Sequence, residues 1–164
     1  MITNISYKII ATTVNLLRDC FILAAIPMLN KEPEKTNAEI LLQHIQEKNT
    51  DAVYDMLCRR LQETPDIREQ IRQTFDVIEG DVVSYKTGYG STNGQWSYGK
   101  EKMTIFRSCK EITTTASDST YQLLIMCYDR NDFETELKGI NKISLFEKKP
   151  CEEKFIKRFE FGLD

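Results

Sequence analysis

A chain of 164 residues with 41% hydrophobic and 29% charged side chains is long enough to bury a real core and has the balance of a soluble globular domain. Its net charge of −3 argues against a dedicated nucleic-acid binder, which needs a basic face to displace counterions from phosphate. A mildly acidic surface suits a small ligand or a basic protein partner equally.

Residues 7–30 (YKIIATTVNLLRDCFILAAIPMLN) are apolar but interrupted by Lys8, Arg18 and Asp19. The uncharged runs Ile9–Leu17 and Cys20–Asn30 hold 9 and 11 residues, short of the ~20 that a bilayer span requires. A secretory signal fits poorly too, because the basic start is weak and no small-x-small cleavage pattern follows Pro27. Leu17 and Cys20 stand where a lipoprotein signal has them, but Arg18 and Asp19 occupy positions that need small residues. The segment reads as an amphipathic helix docked on the domain. Residues 1–35 then form an N-terminal apolar helix and a polar linker, with Pro33 opposing helix, and residues 36–164 a single α+β domain.

Thr36 with Glu39 makes a capping box ahead of an apolar run, predicting a helix over 37–48 that buries Ile40, Leu41, His44 and Ile45. A second helix over 51–63 places Val53, Met56, Leu57 and Leu61 on one face. Thr64–Pro65–Asp66 predicts a third start, with Thr64 as the capping hydroxyl and proline at the first helical position. Ile67, Ile71, Phe75 and Ile78 form its stripe, and Gly80 is expected to end it in a left-handed cap.

After Gly80 the period changes to that of strands. Val82, Val83, Tyr85 and Thr87 suit a strand, residues 88–95 a glycine-containing loop, and residues 101–116 a second, alternating strand. Ser117–Asp118–Ser119 turns the chain into Tyr121–Arg130, the most apolar strand and expected to be central. Gly139–Lys148 is a further strand, and the tail after Pro150 fits either a closing helix or an added edge strand. Helices followed by consecutive strands give an α+β fold, N-terminal helices packed on a curved antiparallel sheet of four or more strands.

Residues 36–149 resemble an uncharacterised family of small bacterial domains, mostly from Gram-positive species and often carried as lipoproteins. The residues carrying the resemblance are AVYDML (52–57), DIREQIRQTFDVIEGDVVSY (66–85), the glycine-containing stretch to Tyr98–Gly99, and Gly139–Ile140 at the start of the last predicted strand. The resemblance implies a cone-shaped fold of the nuclear transport factor 2 or cystatin-like type. It brings no catalytic residues. Localisation is then cytoplasmic or, if export follows the family, membrane-associated outside the cell.

The cysteines, Cys20, Cys58, Cys109, Cys127 and Cys151, are widely spaced and odd in number, which reads as reduced and mostly buried thiols. One disulfide between Cys109 and Cys127 stays open, since both fall on strands that can be neighbours. With His44 the only histidine, a zinc site lacks ligands, and no cofactor is implied. Gly88, Gly90 and Gly94 do not form a dinucleotide fingerprint, and no phosphate-binding loop or metalloprotease motif occurs. His44 reads as a neutral packing residue and Glu47 as solvated, with Asp55 and Asp76 off the apolar stripes.

The best site signal is aromatic: Tyr85, Tyr89, Trp96 and Tyr98 flank the glycines, and such residues are favoured in contacts when they are not core. The expected function is a non-catalytic binding protein, most concretely an immunity-type protein that neutralises a toxin by direct binding. The alternative is a small-molecule isomerase, dehydratase or carrier using the cone cavity. A protein partner is favoured over a small molecule, with no nucleic acid and no transmembrane span.

Overall fold

The structure, a computed structural model, describes residues 35–163. The expected amphipathic helix over 7–30 and most of its linker lie outside the described residues. The order is α1 (Asn37–Gln46), α2 (Thr50–Met56), α3 (Arg59–Gln62), α4 (Ile67–Phe75), β1 (Val82–Ser97), β2 (Lys100–Thr114), β3 (Thr120–Asn131), a single 3-10 turn, β4 (Gly139–Lys148) and β5 (Ile156–Gly162). The strands form one five-stranded antiparallel meander in the order β1-β2-β3-β4-β5. The fold is α+β with the sheet dominant.

The capping box opens α1 as its spacing predicts. Thr36 accepts from the Glu39 amide at 3.4 Å, while Glu39 Oε2 accepts from the Thr36 amide at 2.8 Å. The buried face is rotated from the expected one. Ala38, Leu41, Leu42 and Ile45 are inside, whereas Ile40 and His44 are only partly covered. The spacing i, i+3, i+4, i+7 is a better helical stripe than the one expected.

The predicted helix over 51–63 is two helices. Leu57 leaves helical geometry to make a parallel bridge with Ile140, and the Cys58 amide donates to the Ile140 carbonyl at 2.9 Å. Arg68 joins α2 to α4, pairing with Asp51 and lying 4.2 Å over the Tyr54 ring.

Thr64 does not cap α4; its hydroxyl turns back to the Arg60 carbonyl at 3.3 Å. Asp66, at φ 60°, is the residue that precedes the helix. The helix ends at Phe75, before Gly80, which is left-handed at φ 78° but sits at the start of the sheet. Ile78 is still buried without being helical.

One cluster joins Leu41, Val53, Ile71 and their helical neighbours to Cys109, Leu123, Ile125, Ile143 and Leu145 of the sheet. Each such aliphatic side chain contributes about 1.5–3 kcal/mol on burial. Central β3 alternates strictly, with Tyr121, Leu123, Ile125 and Cys127 buried. In β2 the core parity switches between Cys109 and Ile112, because a bulge with Glu111 at φ 50° inserts a residue.

The tail forms edge strand β5, whose Phe159 and Phe161 rings meet edge to face at 5.9 Å. Cys109 lies opposite Leu123 and Cys127 opposite Ile105. Their offset of four residues, roughly 13 Å, is out of reach of a disulfide.

Candidate functional site

The segment expected as a glycine loop is strand. β1 runs unbroken from Val82 to Ser97, and the hairpin closes on Tyr98–Gly99 between the paired residues Ser97 and Lys100. Glycines at 88 and 90 serve packing, not adaptability. A Cβ at Gly90 would meet the Phe106 carbonyl oxygen at 2.4 Å, and one at Gly88 the Ser108 hydroxyl at 2.2 Å.

Tyr98 and Gly99 have φ of 50° and 75°. Positive φ at both central residues is the geometry of a two-residue type I′ turn, which Asn-Gly fills with least strain. A tyrosine at the first position is uncommon, and Tyr98 is fully exposed. Trp96, two residues earlier and opposite Glu101, is 74% exposed. It is not a core residue.

The β2 end of this hairpin is tied to the segment 130–132 at the end of β3. Asp132 accepts from the Glu101 amide at 3.0 Å, the Asp132 amide donates to the Glu101 carbonyl at 2.9 Å, and Arg130 bridges Glu101 and Asp132. The amide bond, with Arg130 behind it, keeps the Asp132 carboxyl below its ordinary range. Lys102 lies 4.6 Å over the Tyr128 ring and Lys100 5.8 Å over Phe133.

Tyr85 belongs to a different place. It sits at the other end of β1, on the order of 30 Å along the strand from Trp96. Its hydroxyl donates to Glu39 Oε1 at 3.4 Å, and Thr87 donates to the same oxygen at 3.0 Å. Burial, then the Glu39 charge, raises the Tyr85 phenol above its ordinary value. Glu39 itself is lowered, first by the Thr36 amide. Tyr89 lies between the two ends, in register with Arg107. The structure therefore gathers Trp96 and Tyr98 and separates Tyr85 from them.

Glu39 and Gln46 are positioning residues that the sequence reading missed. Gln46 accepts from the Val82 amide at 3.0 Å, so α1 anchors the start of the edge strand at two points. The capping box was the available signal, but it announces a helix start and not a contact to a distant strand.

His44 has the local partner that was expected to stay solvated. Its Nδ1 is 3.3 Å from Glu47 Oε2, and Gln43 donates to Glu47 Oε1 at 2.7 Å. Three- and four-residue spacings on a helix face make these contacts. Asp55 and Asp76 are exposed. The cleft beside Tyr85, between α1 and β1, is open and lined by Lys35, Glu39, Gln43, Gln46 and Glu47 among others. Among the described residues no helix is long and apolar enough to cross a membrane.

No curated protein matches the chain. Residues 40–148 match a family described as a domain of unknown function, DUF5104, which takes in α1 from its second turn through the end of β4. On that match the protein is a member of the uncharacterised DUF5104 family.

Proposed function

We propose that this protein acts by binding and not by catalysis, with the end of the β1–β2 hairpin as its contact surface. Its most concrete form is an immunity-type protein that neutralises a toxin by direct binding. The observation that carries the reading is Tyr98, a bulky and fully exposed aromatic in left-handed geometry. A non-glycine residue there costs on the order of 1–3 kcal/mol, so the local sequence favours an exposed ring over the relaxed turn. Exposed Trp96 two residues earlier supplies area, and the Arg130–Asp132 tie to Glu101, its cross-strand neighbour, supplies rigidity, the two properties that anchor residues need.

The same reading takes the fold as the cone-shaped, nuclear transport factor 2 or cystatin-like type, with helices against one face of the meander. From the family resemblance it also takes a Gram-positive source, with the protein cytoplasmic or, if export follows the family, membrane-associated outside the cell. The experiment sequences the genes on either side of this one and titrates the purified product of any toxin gene found there into the protein by calorimetry; flanks without one reject the immunity reading. Trp96→Ala and Tyr98→Ala should each weaken binding at least about 30-fold, the equivalent of a 2 kcal/mol hot spot. Binding that ignores both substitutions rejects the surface.

A further inference from the structure

We propose that the outer edge of β1 over Thr92–Ser97 pairs antiparallel with the same segment of a second copy of this chain, joining two sheets through Trp96. The two edges of the sheet are built differently. β5, at one side, is short and carries Lys157, Arg158 and Glu160 within seven residues, the usual guard against strand addition. β1, at the other, is 16 residues long and has no proline.

Its first half is occupied or irregular. Glu39 and Gln46 engage it from α1, and register shifts fall at Val82/Ser84, Ser84/Lys86 and Tyr89/Thr92. Beyond the last shift, Thr92 to Ser97 pair in unbroken register with Ile105 to Lys100. This run, TNGQWS, is uncharged, and among the described residues its outer edge has no strand neighbour. Among the described residues it is a regular row of amides and carbonyls without a strand partner, the template for strand addition.

The neutrality of the run selects the occupant. An antiparallel self-pairing brings no like charges together, and its two-fold symmetry closes, so neither copy has a free β1 run left to recruit a third. Uncharged polar Thr92, Asn93 and Gln95 can hydrogen-bond to their own kind, and Trp96 gains a cross-strand neighbour. A basic or acidic partner segment would find no complementary charge here. The inference goes beyond the binding reading and stands without a toxin, since it requires only the purified chain.

Trp96 is the only tryptophan, so its emission reports the event directly. In sedimentation velocity the full chain should pass from monomer to dimer as concentration rises, with a blue shift of tryptophan emission over the same range. The variant N93E/Q95E places like charges across the two-fold axis and should stay monomeric with unshifted emission. Its hairpin should persist, because Gln95 pairs opposite Lys102. N93K/Q95K/K102E, in which the lysine introduced at position 95 is not opposed by a like charge within its own hairpin, should also be monomeric, and an equimolar mixture of the two variants should recover the dimer and the blue shift. A wild-type chain that stays monomeric up to its solubility limit overturns the proposal. So does a dimer that forms equally in both variants, or a mixture that fails to recover it while both variants melt as the wild type does.

Discussion

The carboxylate of Glu39 and the hydroxyl of Thr87 lie 3.0 Å apart, joining the first turn of α1 to the edge strand 48 residues later. The other oxygen of the same carboxylate closes the capping box on Thr36. One side chain thus fixes a helix start and the strand beside it. Glu39→Ala should cost about 1–2 kcal/mol, the range for losing a cap plus a side-chain hydrogen bond, read from denaturant unfolding. Glu39→Gln should cost less, because an amide oxygen still accepts from Thr36. Equal losses would show that charge, and not the cap, matters.

Trp96 is outside the core, so Trp96→Ala should change stability by no more than about 0.5 kcal/mol in thermal unfolding of the monomer at low protein concentration. A buried tryptophan would cost roughly 3–5 kcal/mol on the same change. The measurement therefore separates a contact residue from a packed one without any knowledge of the partner.

Relief of turn strain gives a second, opposite expectation. Tyr98→Asn should raise stability by about 0.5–1 kcal/mol, since Asn-Gly is the relaxed pair for this turn. It should weaken partner binding at the same time. Stability gained at the expense of affinity is the signature of a residue kept for contact.

Glu160 sets a pH dependence. The Ser144 hydroxyl donates to it at 2.6 Å, and with Lys157 and Lys142 it holds the carboxyl down to about 2, from an ordinary 4.5. A lowered folded-state value contributes stability that is fully present above the unfolded value and lost as pH falls through the folded one. Wild type should therefore exceed Glu160→Gln in stability at pH 6, and the difference should shrink progressively between pH 4.5 and 2. Ser144→Ala, which removes the largest cause, should narrow that window. Unfolding followed by circular dichroism across this range tests both.

Thiol labelling should follow burial. Cys58, Cys109 and Cys127 are buried, and burial raises all three thiols, Cys109 to about 12 with the Glu39 charge adding to it. Among the described cysteines Cys151 alone is exposed. Of these four, an alkylating reagent under native conditions should modify Cys151 first, by peptide mapping, and reach the other three only as the chain unfolds. Early modification of Cys109 would contradict the packing of β2 against α1.

Periodicity within one segment was enough to place α1, α4, the central β3 and the switch from helix to sheet at Gly80, because apolar spacing and capping chemistry are local properties. Aromatic Trp96 and Tyr98 were visible as contact candidates for the same reason. The break between α2 and α3 was not, since the stretch around Leu57 contains no breaker; a backbone bridge to Ile140, 83 residues away, ends the helix there. The strand through Gly88 and Gly90 was likewise hidden. Glycine signals a loop locally, while here it admits the Phe106 carbonyl and the Ser108 hydroxyl of the neighbouring strand. Only tertiary structure could separate Tyr85 from Trp96 and Tyr98, and leave the uncharged run Thr92–Ser97 at an edge of the sheet without a strand neighbour among the described residues, because strand register and edge position depend on partners distant in sequence.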